Sequence, residues 1–292
     1  MLSNLSRRQF LASSAALVGS TALAQPPAAN PPAADPFGGF TVGIQSYTFR
    51  NFNLEQALQR TADLGLRNVE LCRVHLPTTA NAQQIDACKA LLRRLNITPV
   101  AFGVENFTSN VANNRRLFEF GRNLGVRYLT ADPTPDSFDS LNDLVAEFNI
   151  GIAIHPHGPV SRNALHRWYS AEVINRAVQN RHRLIGTCLD TGHLIRSAQA
   201  PHNLDLNPVA QIRAMGARNL GLHLKDHNNA TQTDVVFGRN GGVLNVTEIL
   251  RALREVRFAG FISVEYEANP NDPSPDVRAC LDVFRDSVRA LG

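Results

Sequence analysis

The second half of the chain contains four short apolar runs, and each of them is followed by an ionisable residue. These residues are His155, Asp190, His223 and Glu265. Imidazole nitrogens and carboxylate oxygens form a mixed donor set that suits Mn²⁺, Zn²⁺, Co²⁺ or Fe²⁺ better than Ca²⁺. One histidine at the end of an apolar run is usually structural, and four unrelated salt bridges are the alternative. Four such residues on consecutive runs nevertheless predict a site for one divalent metal.

The spacing of the histidines leaves the identity of the first ligand open. His155 and His157 are two residues apart, so on a strand both side chains face the same way. His155 ends the apolar run and is the preferred ligand, which leaves His157 for contact with a substrate. His193 lies three residues after Asp190, on a loop or a first helical turn. It is interpreted as a partner of a ligand, a further ligand or a helix cap.

Short apolar runs alternate with amphipathic segments along residues 40–292, which indicates a parallel sheet flanked by helices. Predicted strands lie at 41–47, 68–71, 98–104, 128–131, 151–155, 186–190, 221–223 and 261–265. Predicted helices lie at 53–64, 81–95, 110–124, 137–148, 170–180, 208–217, 246–256 and 276–290. Successive strand ends are one strand–helix unit apart, so the sequence predicts a single (β/α)8 TIM barrel. An open doubly wound sheet is the alternative, but no glycine-rich turn follows the first predicted strand.

A barrel of this kind builds its active site at the carboxyl ends of its strands, so polar residues at those ends are candidates for function. The candidate catalytic residues are Glu265, Glu105, His157 and Lys225. The candidate substrate-binding residues are Glu70, His75, His193 and Trp168. Lys225 is one of only two lysines in the chain and precedes Asp226. An internal ion pair between these two residues explains them equally well.

The composition is that of a globular protein: 43% of the 292 residues are apolar, 18% are charged and the net charge is +4. These values exclude a disordered tail and a fibre. No block of basic residues alternates with aromatic residues, so nucleic acid is not an expected partner. The four cysteines are far apart and are interpreted as buried apolar residues, with a single disulfide as the alternative. The sequence leaves open whether the protein forms a homo-oligomer.

Residues 1–24 are typical of an export signal. Arg7 and Arg8 precede Phe10 and a short apolar stretch that ends in Ala-Leu-Ala. This stretch is too short to span a membrane stably, so the chain is not expected to be an integral membrane protein. The paired arginines predict a twin-arginine signal, the twin-arginine export machinery as a partner and a periplasmic location. A cytoplasmic chain with a chance arginine pair is the alternative. Residues 25–39 are a Pro/Ala-rich linker.

Four motifs resemble those of the xylose isomerase-like TIM barrels, a superfamily of sugar isomerases, sugar epimerases, inosose dehydratases and apurinic endonucleases. The motifs are Leu-Asp-Thr-Gly-His at 189–193, His-Leu-Lys-Asp at 223–226, Val-Glu at 264–265 and Gly-Arg-Asn-Gly-Gly at 238–242. The resemblance covers nearly all of residues 40–290. It implies a divalent metal held by residues of the fifth to eighth strands, and it assigns His155, Asp190, His223 and Glu265 as ligands.

One departure from the family pattern concerns the fifth strand. Sugar epimerases of this superfamily usually have a glutamate where this chain has His155, so a mechanism with two glutamates cannot be transferred unchanged. The His-Pro-His sequence at 155–157 looks more like that of inosose dehydratases. The endonuclease branch is disfavoured, because the Asp-x-His expected after the seventh strand reads Asp-Val-Val at 234–236.

The resemblance and the residues together predict a metal-dependent isomerase or epimerase of a free sugar or keto-sugar, acting through an enediolate. The alternative is a metal-dependent lyase or dehydratase of a keto-sugar, a cyclitol or a 3-keto-glycoside. A second alternative is an exported barrel that binds sugar without catalysis, with Trp168 and Tyr169 as aromatic platforms. Export favours an unphosphorylated carbohydrate, and Gly241-Gly242 is the only segment suggestive of a phosphate loop.

Overall fold

The structure is a computed structural model, and it describes residues 35–292. Eight parallel strands form a closed barrel in which each strand pairs with its neighbours in chain order, and the first pairs with the eighth. The barrel strands are Thr41–Gln45, Asn68–Leu71, Thr98–Phe107, Tyr128–Pro133, Gly151–Ile154, Ile185–Asp190, Asn219–Leu224 and Phe261–Val264. The predicted single (β/α)8 barrel is confirmed.

Nine α-helices lie within the described residues and surround the barrel. They are α1 (Leu54–Asp63), α2 (Ala82–Arg94), α3 (Val111–Leu124), α4 (Phe138–Phe148), α5 (Ala171–Val178), α6 (Thr191–Ala198), α7 (Pro208–Met215), α8 (Val246–Glu255) and α9 (Ser274–Leu291). Eight of them agree with the predicted helices, and α6 is additional. It begins directly at Asp190, whose carboxylate accepts a hydrogen bond from the backbone N–H of His193 at 2.7 Å. Thr191 and Gly192 have low helix propensity, which concealed this helix in the sequence.

Local signals explain where the helices begin and how they pack. Asn53 and Gln56 form the predicted capping box at the start of α1. Gly125 ends α3 with a positive φ of 89°, a conformation that glycine adopts without steric cost. Along α8, buried residues recur with the period of a helix, and this apolar stripe faces the barrel.

The ends of several strands differ from the predicted ones. The first strand stops at Gln45, and a 3-10 turn follows over Ser46–Phe49. The third strand extends to Phe107. After the seventh strand, His227–Asn228 and Thr233–Asp234 form a small antiparallel ladder beside the barrel mouth. These additions lie at the carboxyl ends of the strands, and Tyr47 of the 3-10 turn lines the cavity described below.

The predicted signal peptide, residues 1–24, and most of the predicted linker lie outside the described residues. Residues 35–39, the end of that linker, form a turn in which Asp35 accepts hydrogen bonds from the backbone N–H groups of Phe37 and Gly39. The Phe37 ring packs edge-on against Phe284 of α9 at 5.8 Å. No helix among residues 35–292 is long and apolar enough to cross a membrane. All four cysteines are buried and unpaired, as predicted.

Candidate metal centre and the cavity above it

The four predicted ligands converge at the carboxyl end of the barrel. His155 directly follows the fifth strand, Asp190 ends the sixth, His223 lies in the seventh, and Glu265 directly follows the eighth. One potential ligand atom from each of these side chains lies within 4.8 Å of those of the other three. The register of the sheet produces this arrangement, because it pairs Asp190 with His223 across neighbouring strands.

The distances between these side chains show that their donor atoms point at a common centre. His155 Nε2 lies 3.0 Å from His223 Nδ1 and 3.4 Å from Asp190 Oδ2. His223 Nδ1 lies 3.3 Å from Glu265 Oε2. Asp190 Oδ2 is buried and has no hydrogen-bond partner within the described chain. A buried carboxylate oxygen without a partner is costly, and a divalent cation at this centre would satisfy it. The residues present therefore fit a metal.

Glu70 fixes the orientation of His223 from below. Its Oε2 lies 2.8 Å from His223 Nε2 and accepts a hydrogen bond from Ser263 Oγ at 2.7 Å, and its Oε1 accepts one from Thr130 Oγ1 at 2.5 Å. Burial opposes a charge on His223, but the neighbouring Cys188, Glu70 and Glu265 raise its pKa well above the ordinary value. In the neutral form that binds a metal, Nε2–H is donated to Glu70 and the lone pair is on Nδ1, which faces the centre. Glu70 is fully buried and does not line the cavity. The structure thus places this predicted substrate-binding residue against His223.

Lys225 lies beside the centre and is itself buried. Its Nζ is 2.8 Å from Glu265 Oε2, 2.5 Å from Glu267 Oε1 and 3.6 Å from Asp190 Oδ2. The ion pair with Asp226 that the sequence left open is not formed. One ammonium group therefore neutralises part of the negative charge that three carboxylates bring into the barrel mouth.

The charges of the carboxylates follow from this arrangement. Burial alone would raise the pKa of Asp190, but Lys225 and the adjacent His193 and His155 bring it well below its ordinary value. Burial likewise opposes the ionisation of Glu265, yet Lys225 and then His223 lower its pKa. Both groups are carboxylates at neutral pH, which is the form that binds a metal.

The pKa values of three histidines at the cavity are also lowered, but for an imidazole this favours the neutral form. Burial is the largest cause of a lowered pKa for His155, His157 and His193. The repulsion of His155 and His166 adds to burial and brings the pKa of His157 to about 3. These imidazoles are neutral near pH 7, so each has a lone pair available for a metal or a proton.

A cavity of about 430 Å³ opens above the centre, a volume within the usual range for small-molecule sites, about 300–1,000 Å³. His155 and Glu265 form part of its wall, so the candidate metal centre is accessible from it. The predicted residues His157 and His193 also line it. A groove of about 460 Å³ lies elsewhere, between α6 and α8, and has no histidine in its wall.

The predicted residues Glu105, His75 and Trp168 do not line this cavity, and neither does the buried Lys225. Glu105 is buried, and both of its carboxylate oxygens receive hydrogen bonds from Arg73. His75 is held by Ser46 Oγ at 3.0 Å and by the Phe49 carbonyl oxygen at 3.2 Å.

Trp168 belongs to the core rather than to the cavity wall. Its ring packs edge-on against Phe138 at 5.8 Å, and its Nε1–H donates to the Pro133 carbonyl at 2.9 Å. It therefore offers no platform to a molecule in the cavity.

Sequence reasoning did not predict several residues of the cavity wall: Gln45, Tyr47, Arg73, Arg196 and Glu267. For two of these residues, the spacing in the sequence could have indicated a place in the cavity wall. Glu267 is two residues beyond Glu265, a spacing that puts both side chains on one face of an extended segment. Arg196 is three residues beyond His193, which is one turn of the unpredicted helix α6.

Asp226 organises the loop that contains Gly241 and Gly242. Its carboxylate accepts four backbone hydrogen bonds, from His227, Gly238, Val243 and Leu244. A Cβ atom on Gly242 would lie only 2.3 Å from Asp226 Oδ2. The glycine pair thus permits the close approach of a carboxylate, and that negative charge disfavours the phosphate loop considered from the sequence.

A comparison of the sequence with protein families identifies the family of this barrel. The model of the xylose isomerase-like TIM barrel matches residues 58–287. The chain belongs to this family. The resemblance drawn from the four sequence motifs is therefore confirmed. No curated protein sequence matches this xylose isomerase-like barrel significantly.

Solved structures with the same fold include three that are informative. An uncharacterized protein from Parabacteroides distasonis has 24% identity and a TM-score of 0.64, over 85% of this chain and 98% of that one. A 3-keto-D-glucoside 4-epimerase from E. coli has 14% identity and a TM-score of 0.64, over 85% and 99%. A D-psicose 3-epimerase has 14% identity and a TM-score of 0.61, over 86% and 98%. At these identities the likeness shows the fold.

Proposed function

We propose that this xylose isomerase-like barrel is a metal-dependent isomerase or epimerase of a free sugar or keto-sugar. The observation that carries the proposal is the convergence of His155, Asp190, His223 and Glu265 below an open cavity. Structures with the same fold include proteins named as epimerases of D-psicose, L-ribulose and a 3-keto-D-glucoside, which supports a carbohydrate substrate.

The metal would be held by His155 and His223 through nitrogen and by Asp190 and Glu265 through oxygen. This donor set is compatible with Mn²⁺, Zn²⁺, Co²⁺ or Fe²⁺. When bound, a divalent metal supplies Lewis acidity that polarises a carbonyl and stabilises the negative charge that develops as the neighbouring proton leaves.

The side chains of the cavity supply the proton transfers. Glu265 is ionised, lines the cavity and is a base for the proton next to the carbonyl. Its carboxylate is oriented by Lys225 at 2.8 Å. His157 is neutral and lies in the same wall, so it can accept or return a proton elsewhere on the substrate. Glu267 is hydrogen-bonded to Lys225 and is a further carboxylate that can accept a proton from a molecule in the cavity, because its side chain is 38% exposed.

A lyase or dehydratase of a keto-sugar, cyclitol or 3-keto-glycoside is the second candidate. The observation that favours it is His155, which occupies the place where two-glutamate epimerases have their second carboxylate. With one carboxylate base among the ligands facing the cavity, removal of a proton by Glu265 and protonation of a leaving oxygen by the ammonium group of Lys225 would complete an elimination. Both reactions begin with the same proton abstraction.

The proposal is tested by metal analysis combined with solvent exchange. Protein purified without added metal or chelator is measured by elemental mass spectrometry beside His223→Ala, and keto-sugars are then incubated with both proteins in D₂O. About one transition metal per chain, its loss in the variant, and deuterium incorporation next to the carbonyl are expected. Metal-independent binding of sugar without exchange or product would instead identify a sugar-binding barrel.

Export of the protein to the periplasm is proposed on the sequence of residues 1–24 alone. Replacement of Arg7 and Arg8 by lysine is expected to keep the protein in the cytoplasm, because the twin-arginine pathway reads the arginine pair. Cell fractionation measures the outcome. Unchanged periplasmic delivery of the variant would contradict the assignment.

A further inference from the structure

Two arginines line the cavity above the metal centre, and their surroundings differ. Arg73 forms hydrogen bonds through two of its nitrogens to the buried carboxylate of Glu105, so its charge is already matched. Arg196 forms no salt bridge with any residue in the range 35–292. Its Nη1 lies 3.3 Å from His193 Nδ1, a neutral nitrogen to which the guanidinium donates.

The position of Arg196 is set by the structure around it. The side chain is half-buried, and its guanidinium lies flat against the backbone at Gly158, where a Cβ would be only 3.1 Å from Arg196 Cζ. The hydrogen bond to His193 fixes the other side of the group. The cation is therefore held in place before any ligand binds, which reduces the entropy lost on binding.

The charge of Arg196 is directed at the cavity and at the two smaller hollows that continue from it. Arg196 lines all three, and His157 and His193 are shared by the cavity and the first of the hollows. A half-buried guanidinium without a carboxylate has lost part of its hydration without compensation. Its planar donors match the two oxygens of a carboxylate or phosphate. An oxyanion of a ligand beside Arg196 would replace the lost hydration and neutralise the charge of the guanidinium.

We propose that Arg196 binds an oxyanionic group of the substrate, a carboxylate or a phosphate monoester, while the sugar oxygens occupy the metal end of the cavity. This inference rests on the proposed function, because it names the substrate class of the same cavity. The inference narrows the keto-sugar of the proposed function to one that carries an acidic group, either a sugar acid or a sugar phosphate. Arg196 is accordingly a residue that determines specificity.

The test is calorimetric titration of the metal-loaded protein with D-fructuronate, D-fructose 6-phosphate and D-fructose. At least one of the two anionic sugars should bind about 10- to 100-fold more tightly than D-fructose, which is the effect of a charge-assisted hydrogen-bond pair. Arg196→Gln should abolish this preference for the anionic sugars, and Arg196→Lys should retain part of it. Tighter binding of D-fructuronate identifies a carboxylate, and tighter binding of the phosphate identifies a phosphate.

The control variant is Arg183→Gln, which makes the same change of charge at an exposed position before the sixth strand, at the opposite end of the barrel. It should keep the preference of the unmodified protein. Equal affinity for the neutral and anionic sugars, or no binding of either anion, would overturn the inference. So would a preference that survives in Arg196→Gln, because the metal would then be the anion site.

Solvent exchange separates this inference from the proposed function. Proton exchange on D-fructose in D₂O without any preference for the anions would refute the role of Arg196 alone. Arginine-dependent binding of an anionic sugar without exchange on any of the three probes would refute the isomerase function and retain the oxyanion site.

Discussion

The hydrogen bond between Glu70 and His223 gives the sharpest test of how the metal centre is built. Glu70→Gln keeps the shape of the side chain but replaces one acceptor oxygen with an NH₂ group. If the amide oxygen keeps the Thr130 bond, the NH₂ group faces both His223 Nε2 and Ser263 Oγ. The serine hydroxyl can rotate to accept a hydrogen bond. The imidazole can accept one only by moving its proton from Nε2 to Nδ1.

That change of tautomer places a proton on the nitrogen that faces the centre, 3.3 Å from Glu265 Oε2. A metal that binds Nδ1 then requires the remaining proton of His223 to lie on Nε2, where it faces the NH₂ group instead of an acceptor, or the metal binds with one ligand fewer. Loss of such a partner of a metal-ligating histidine typically costs 10- to 100-fold in metal affinity, about 1.4–2.7 kcal/mol. We expect Glu70→Gln to weaken the binding of Mn²⁺ or Co²⁺ by about this factor, with kcat falling in parallel at subsaturating metal.

The assay is a competition titration of the chelator-treated protein against a chelator of known affinity, with circular dichroism to verify the fold. Thr130→Val is the matched control, since it removes a neutral donor from Glu70 but leaves the carboxylate on His223. Its metal affinity should fall by about fivefold at most, because the carboxylate of Glu70 keeps its charge and its hydrogen bonds to His223 and Ser263. A folded Glu70→Gln protein with unchanged metal affinity would refute the role assigned to Glu70.

Three further substitutions test the surroundings of the centre. Lys225→Met leaves buried carboxylates without their cation and should lower the free energy of unfolding of the metal-free protein by about 3–5 kcal/mol in urea titrations, with a smaller loss when Mn²⁺ is present. An equal loss with and without metal would contradict this account. Gly192→Ala places a Cβ 2.7 Å from Lys225 Cγ, so it should lower the free energy of unfolding by about 1–3 kcal/mol and reduce activity. Unchanged activity and stability would show that Lys225 is free to move. Asp226→Asn should lower the free energy of unfolding by about 2–3 kcal/mol and speed amide exchange in residues 238–244, because an amide cannot accept hydrogen bonds from all four backbone donors. Unchanged exchange would show that Asp226 does not organise this loop.

The barrel and the convergence of the four candidate ligands were predictable because both depend on regularities along the chain. Apolar runs at the spacing of strand–helix units indicate a parallel barrel, and its closure brings the carboxyl ends of the strands together. His155, Asp190, His223 and Glu265 end or follow such runs, so the fold alone implies that they meet.

The remaining features depend on contacts that no local pattern encodes. Glu70 and His223 are 153 residues apart, and only the packing of the barrel interior shows that one orients the other. Glu105 resembles the other carboxylates in sequence, but Arg73 engages it. Trp168 is aromatic and close to the fifth strand, yet core packing rather than the cavity holds its ring. Arg196 was missed because the helix that carries it starts with residues of low helix propensity.

The most direct test of the central claim is anomalous diffraction from crystals of the Mn²⁺-loaded protein, recorded on both sides of the manganese absorption edge. We expect one strong anomalous peak per chain, about 2.0–2.3 Å from His155 Nε2, Asp190 Oδ2, His223 Nδ1 and a carboxylate oxygen of Glu265. The nearby group His155, His157 and His193 also has ligand atoms within 4.8 Å of one another. A single peak at that group, away from Asp190 and His223, or no peak at all, would contradict the assignment of the metal centre.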